Sequence, residues 1–182
     1  MRRLTFLLLL LLLTASVQPA PFPGGGDSAD KGGWEAVRVR AKPFEVTDLQ
    51  GQTLRSQDLA GKVVVIDFWA TWCSPCLREL PELAQYHKRL EGRADVALLS
   101  FNVTDERPAL EDFLRRQRVG FPVYPADALI GSFGLVAFPT KVVVDMRRPA
   151  EDGAGVVRFR REGYTPVASI ETRVEAVLAE RP

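Results

Sequence analysis

Gly61-Lys62-Val63-Val64-Val65-Ile66-Asp67-Phe68-Trp69-Ala70-Thr71-Trp72-Cys73-Ser74-Pro75-Cys76 is the stretch on which the reading of this chain turns. Val63 to Trp69 is an apolar run interrupted by Asp67 and bounded at its start by Gly61-Lys62. Such a run predicts a strand buried on both faces. The period then changes. Leu77, Leu80, Leu83 and Ala84 recur at helical intervals, predicting a helix from Cys76 to Leu90 that Gly92 ends. Cys73 and Cys76 thus fall where a buried strand gives way to a helix.

That location carries chemistry. Unpaired backbone N–H groups at a helix start stabilise a nearby anion, and a thiolate is such an anion. A cysteine there has a depressed pKa and reacts near neutral pH. A second cysteine one turn later can attack the mixed disulfide that the first one forms. The pattern therefore predicts attack by Cys73 and resolution by Cys76. Pro75 falls in the first turn, where a missing N–H costs little. Stapling is a poor explanation, because these are the chain's two cysteines and the loop they close is very small. A zinc site needs about four ligands, and beyond the cysteines only His87 and carboxylates remain to supply them. Two inert core cysteines are the other bland reading. His87 reads as a surface or packing residue, and no metal is expected.

Outward from this centre the chain alternates strands and helices. A hairpin is predicted where Val46-Thr47-Asp48 meets the turn signal Gly51-Gln52. Val96 to Val103 reads as a second buried strand, Pro108 to Arg118 as a helix and Phe121 to Tyr124 as a short strand. Lys141 to Asp145 and Val156 to Arg160 read as paired strands, and Ile170 to Leu178 as a C-terminal helix. This order predicts an α/β domain with a central sheet covered on both faces.

The N-terminus has a different character. Met1-Arg2-Arg3 is followed by Leu4-Thr5-Phe6 and an unbroken leucine run from Leu7 to Leu13. A basic start and a short apolar run predict an export signal over 1–20, either cleaved or kept as an anchor. The run is shorter than the roughly 20 residues of a membrane span. No cysteine follows it to carry a lipid. Residues 21–33 have linker composition, and the folded domain is expected over 34–182. Composition is ordinary at 46% hydrophobic and 26% charged, with a net charge of +1, so nothing points to nucleic acid as a partner.

At this point the chain resembles a known family. Gly61 to Cys76 looks like thioredoxins, and most like the membrane-associated or periplasmic branch that includes TlpA, ResA and the cytochrome c maturation thioredoxins. Pro43-Phe44 through Gly51 with Leu59-Ala60-Gly61-Lys62, then Cys76-Leu77-Arg78-Glu79-Leu80-Pro81, and Val136-Ala137-Phe138-Pro139-Thr140 match further motifs of that branch. Together they cover about Ala41 to Leu178. The resemblance implies a thioredoxin-like three-layer fold: a central mixed sheet flanked by helices, with an N-terminal hairpin and a central α/β insertion. It implies Cys73, Cys76, Asp67 and Glu79 as the catalytic set and Trp72, Pro75, Phe138 and Pro139 as the substrate-binding set. Pro139 would be cis, with Phe138 offering backbone groups to an extended substrate, and Pro81 would kink its helix. Glu79 would lie near the site and modulate the thiols. No cofactor is implied.

Two features depart from the pattern. Asp67 stands where the exported branch often has asparagine. If buried, it should have a raised pKa and could take the proton of Cys76. Arg147 to Gly155 replaces a tight turn with a longer loop, either a partner contact or a tolerated insertion. The resemblance implies an extracytoplasmic reductant of protein disulfides in cytochrome c or copper-site maturation, fed by a membrane thiol donor of the DsbD/CcdA type. Three alternatives stay open. They are a disulfide-forming oxidant, a copper chaperone, which would want a wider cysteine gap, and a peroxidase, which would want Thr or Ser where Ala70 precedes Cys73.

Overall fold

The computed structural model describes residues 33–181. The expected leader (1–20) and all but the last residue of the expected linker (21–33) lie outside the described residues. The elements are β1 (Glu35–Arg40), β2 (Glu45–Thr47), β3 (Thr53–Arg55), β4 (Val63–Trp69), α1 (Ser74–Leu90), β5 (Val96–Asn102), α2 (Arg107–Gln117), β6 (Val123–Pro125), β7 (Thr140–Asp145), β8 (Val156–Glu162) and α3 (Val167–Ala179). Six strands form a sheet in the order β1-β8-β7-β4-β5-β6, and β2 and β3 form the expected hairpin. β4 pairs parallel with β5 and antiparallel with β7, so the sheet is mixed. This is the thioredoxin-like α/β architecture that the motifs imply.

Why the apolar run forms the centre is visible in its burial. All seven residues of β4 are buried. Val63, Val65 and Trp69 face one way, into a core with Leu80 and Leu83 of α1, Leu110 and Phe113 of α2, and Ile170 and Val174 of α3. Val64, Ile66 and Phe68 face the other way, against Phe44 and Val46 of the hairpin region and Leu129, Phe133 and Leu135. A fully buried side chain of this size contributes about 1.5–3 kcal/mol, so β4 is held from both faces. The three α-helices collect on the first face, while the hairpin and irregular segments cover the second.

The predicted elements are present with ends shifted by one to a few residues. One strand is additional. β1 pairs antiparallel with β8, with a bulge between Ala36 and Val39. It is largely exposed, and its Val37 and Val39 alternate with Arg38 and Arg40. That short alternation gives little apolar signal. The strand exists because β8 offers an open edge, and charged residues keep the new edge from pairing further.

The long loop after β7 is tied to its own domain. Arg40 Nη2 donates to Asp152 Oδ2 at 2.5 Å, and Gln57 Nε2 donates to the Asp152 carbonyl at 3.2 Å. Ala41 N donates to the Gly155 carbonyl at 2.9 Å. Gly155 is required by close approach: a Cβ there would lie 2.2 Å from Met146 Sδ and 2.9 Å from the Asp145 carbonyl oxygen. Met146 is itself buried and has no room to retreat. Gly155→Ala is therefore expected to lower unfolding free energy in urea by about 1–3 kcal/mol, the usual cost of overpacking. An unchanged midpoint would show that the loop gives way freely.

Candidate active site

β4 delivers the chain to the cysteines through a short stapled segment. Thr71 donates from both N and Oγ1 to Asp105, at 2.7 and 2.6 Å, and Asn102 Nδ2 donates to the same carboxylate at 2.7 Å. Val103 N donates to the Trp69 carbonyl at 3.0 Å. The end of β4 and the end of β5 are thus locked together just before Cys73. Asp105 was not singled out from the sequence, where a lone aspartate in a Thr-Asp-Glu turn carries no signal of this role.

Cys73 is the N-cap of α1, and its Sγ accepts the backbone N–H of Cys76 at 3.3 Å. Cys73 and Cys76 are joined as a disulfide, and both are buried. Pro75 lies within the first turn, and the helix continues through Pro81. The N–H aimed at Cys73 Sγ is the donor that would stabilise a thiolate there.

Around the pair lies an apolar rim. Trp72 is 63% exposed and Val136 is 83% exposed. Trp72 meets the ring of Phe138 edge-on, with centroids 5.9 Å apart. Its indole Nε1 donates to Thr104 Oγ1 at 3.1 Å, and Thr104 holds a left-handed backbone at φ 66°. The Phe138-Pro139 bond is cis, as the motif implied. The Pro139 carbonyl accepts from Gly163 N at 2.8 Å, which pins this loop to the turn after β8.

Behind α1 lies a buried charge cluster. Asp67 and Glu79 are each 1% exposed and Lys141 is fully buried. Asp67 is on a central strand and not at a sheet edge, and Glu79 is not a solvated surface acid. Lys141 stands opposite Asp67 in the β4–β7 register. Its Nζ is 3.0 Å from Asp67 Oδ1, a close ion pair without good hydrogen-bond alignment. Lys141 also donates to Glu79 Oε2, while Glu79 Oε1 accepts the backbone N–H of Thr165. Burial chiefly, aided by the Asp67 charge and opposed by Lys141, raises the Glu79 carboxyl to about 7. Burial alone would lower the Lys141 pKa, but the two carboxylates outweigh it and the net direction is up.

The structure thus brings together Cys73, Cys76 and Pro75 at the head of α1, Trp72 against Phe138 of the Pro139 loop, and Asp67 with Glu79 through Lys141. Lys141 was missed as a site residue, although a lysine followed by Val142-Val143-Val144 two residues after Pro139 was visible. His87 packs face to face on Phe121, with ring centroids 5.6 Å apart, as a packing residue would.

Residues 37–148 match the AhpC/TSA family. The thiol-disulfide oxidoreductase ResA of Bacillus thuringiensis is 33% identical over 147 residues, covering 79% of this chain and 82% of that protein. ResA of Geobacillus thermodenitrificans is 32% identical over 112 residues, covering 60% of this chain and 64% of that one. Among solved structures, a thiol:disulfide interchange protein of the thioredoxin family from Chlorobium tepidum superposes with a TM-score of 0.66 at 25% identity, covering 80% of this chain and 99% of that chain. The chain accordingly belongs to the AhpC/TSA family, as a thiol–disulfide oxidoreductase of the ResA and thioredoxin type.

Proposed function

We propose that this oxidoreductase works outside the cytoplasm as a reductant of protein disulfides, of the kind that serves cytochrome c or copper-site maturation. The observation that carries the exchange is Cys73 at the head of α1, its Sγ accepting the Cys76 N–H beside an exposed aromatic rim. Cys73 thiolate attacks one sulfur of a substrate disulfide, and the other leaves as a thiolate and takes up a proton. Cys76 then loses its proton to the carboxylates beneath α1 and attacks Cys73 Sγ. The Cys73–Cys76 bond forms, the second substrate sulfur departs with its electron pair and takes up a proton, the carboxylates give up theirs, and the substrate has gained two electrons and two protons. Trp72 and Phe138 supply the apolar contact, the Pro139 loop supplies backbone groups, and Pro75 shapes the first turn. Asp67 and Glu79 handle the resolving proton. A membrane thiol donor of the DsbD/CcdA type would return the electrons. Localisation rests on the basic and apolar sequence at 1–20, which would either be removed or hold the domain at the membrane.

Cysteine variants test the roles. Cys76→Ser, incubated with an oxidised protein substrate, is expected to accumulate a mixed disulfide visible on a non-reducing gel and by mass. Cys73→Ser is expected to accumulate none. Trapping by Cys73→Ser alone would reverse the assignment.

Direction is tested by equilibrium redox titration of the folded domain, read by fluorescence. A potential near or below about −220 mV is expected of a reductant, whereas a value near about −120 mV would make the protein a disulfide donor.

Glu79 makes the stability pH-dependent. Its folded pKa of about 7 lies above its ordinary value of 4.5, so the folded state binds more protons between those limits. The stabilisation is fully present below about 4.5 and is lost as pH rises through 7, on the order of 3 kcal/mol across the window. Glu79→Gln is expected to flatten that slope in urea titrations at pH 4.5 and 8, and an unaltered slope would place its origin elsewhere.

A further inference from the structure

We propose that Lys141 is the positioning residue of the resolving half-reaction: placed between Asp67 and Glu79, its ammonium assembles the two carboxyl groups into one buried proton acceptor for Cys76. This rests on the exchange chemistry proposed above and deepens it.

The argument begins with charge. Two buried carboxylates at close quarters resist ionising together, and at Glu79 burial and the Asp67 charge both push the carboxyl up. Lys141 lies in contact with both of them and is fully buried. With it the cluster has two accessible states, net −1 with both carboxylates ionised and net 0 with one proton added. The Glu79 carboxyl titrates at about 7, so this single proton exchanges at neutral pH. Without the ammonium the Glu79 carboxyl would rise further and hold its proton through neutral pH, leaving Cys76 a poorer acceptor.

The second argument is geometric. Lys141 lies two residues after Pro139 on the strand that pairs with β4. Glu79 lies three residues after Cys76 on α1. The Lys141–Glu79 contact therefore joins the strand leaving the Pro139 loop to the helix that carries the cysteines. Two main-chain bonds close the ring. Thr165 N donates to Glu79, and Gly163 N donates to the Pro139 carbonyl at 2.8 Å. One side chain thus sets the charge of the acceptor and its place relative to the docking loop.

Other charged groups face this region from the neighbouring elements. Arg161 of β8 stands opposite Lys141 in register and donates from Nη2 to the Tyr164 carbonyl at 3.1 Å. Arg173 of α3 lies over the Phe159 ring at 5.5 Å. At the outer side Arg78 covers the Tyr164 ring at 5.6 Å, and the Tyr164 hydroxyl donates to Glu82 at 3.1 Å. Among these groups Lys141 is the one placed in ion-pair contact with both Asp67 and Glu79.

The test separates the two half-reactions in Lys141→Met, which keeps the apolar stem and removes the charge. Attack by Cys73 is read as mixed-disulfide formation with an oxidised model peptide in a Cys76→Ser background. Resolution is read by stopped-flow tryptophan fluorescence of the double-cysteine protein from pH 5 to 9. The expected result is a resolving step about 10²-fold slower at pH 7 that recovers towards pH 9, with its acid limb moved up by about one unit or more and attack little changed. Equal slowing of both steps with an unmoved acid limb would make Lys141 merely structural and overturn the proposal. Should Lys141→Met not fold, carboxyl carbon NMR of the unsubstituted oxidised protein decides. The Glu79 resonance is expected to titrate near neutral pH with the Asp67 resonance responding in the same step, and a Glu79 titration that leaves Asp67 unmoved would sink the idea. A wild type that exchanges no disulfide at all would overturn the functional reading itself, a different failure from an unshifted variant.

Discussion

A lysine ammonium with no exposure to water sits between two buried carboxylates, and that contact ties three elements together. Lys141 comes from β7, Asp67 from β4 and Glu79 from α1. Removing such charges from water costs several kcal/mol per ion, and mutual attraction repays it only when the remaining polar atoms are also satisfied. Glu79 meets that condition by accepting the Thr165 N–H on its second oxygen. A hydrophobic trio of the same volume would hold the sheet to the helix at least as well. The acceptor role proposed above gives charge at this place a chemical use, one helical turn from Cys76.

The electrostatics of the two cysteines follow from where the strand stops. β4 is buried along its whole length, so the chain leaves the sheet only after Trp69. The Asp105 staple then holds Ala70 to Trp72 so that α1 begins at Ser74. Cys73 Sγ takes the place that a serine or aspartate oxygen has in an ordinary cap. Cys76 points into the core beside the face that Asp67 shares with Val65 and Trp69. One sulfur thus meets backbone donors and the exposed rim, while the other lies on the side of the buried carboxylates. In the exchange proposed above, the attacking sulfur is the one capped by the α1 backbone and the resolving sulfur the one packed below it, both being buried.

The rim and the charge cluster are also connected. The cis Phe138-Pro139 loop leads within two residues to Lys141, and Gly163 and Thr165 bond to Pro139 and Glu79 from one short turn. The Pro139 loop and the Lys141–Glu79 contact are parts of one bonded ring. The loop after β7, by contrast, is anchored on Arg40 and Gln57 and takes no part in that ring.

Much of this was legible in the residue order. The β4 run, the helix beginning at the cysteines, the hairpin and the later strands and helices are local signals, because apolar period and turn chemistry act over a few residues. Cys73, Cys76 and Pro75 were legible for the same reason, as was Asp67, a charge inside an apolar run, whereas Pro139 and Glu79 came only from the family resemblance. Three things were not. β1 depends on the open edge of β8, Asp105 works only once β5 ends beside β4, and Lys141 gains its meaning from partners 74 and 62 residues away in sequence, Asp67 and Glu79. The sequence by itself determined the cysteine pair and the elements other than β1, since these rest on neighbouring residues. The tertiary structure alone decided which charges share the buried space beneath α1, because ion pairing in a dry interior depends on distances that only the folded sheet sets.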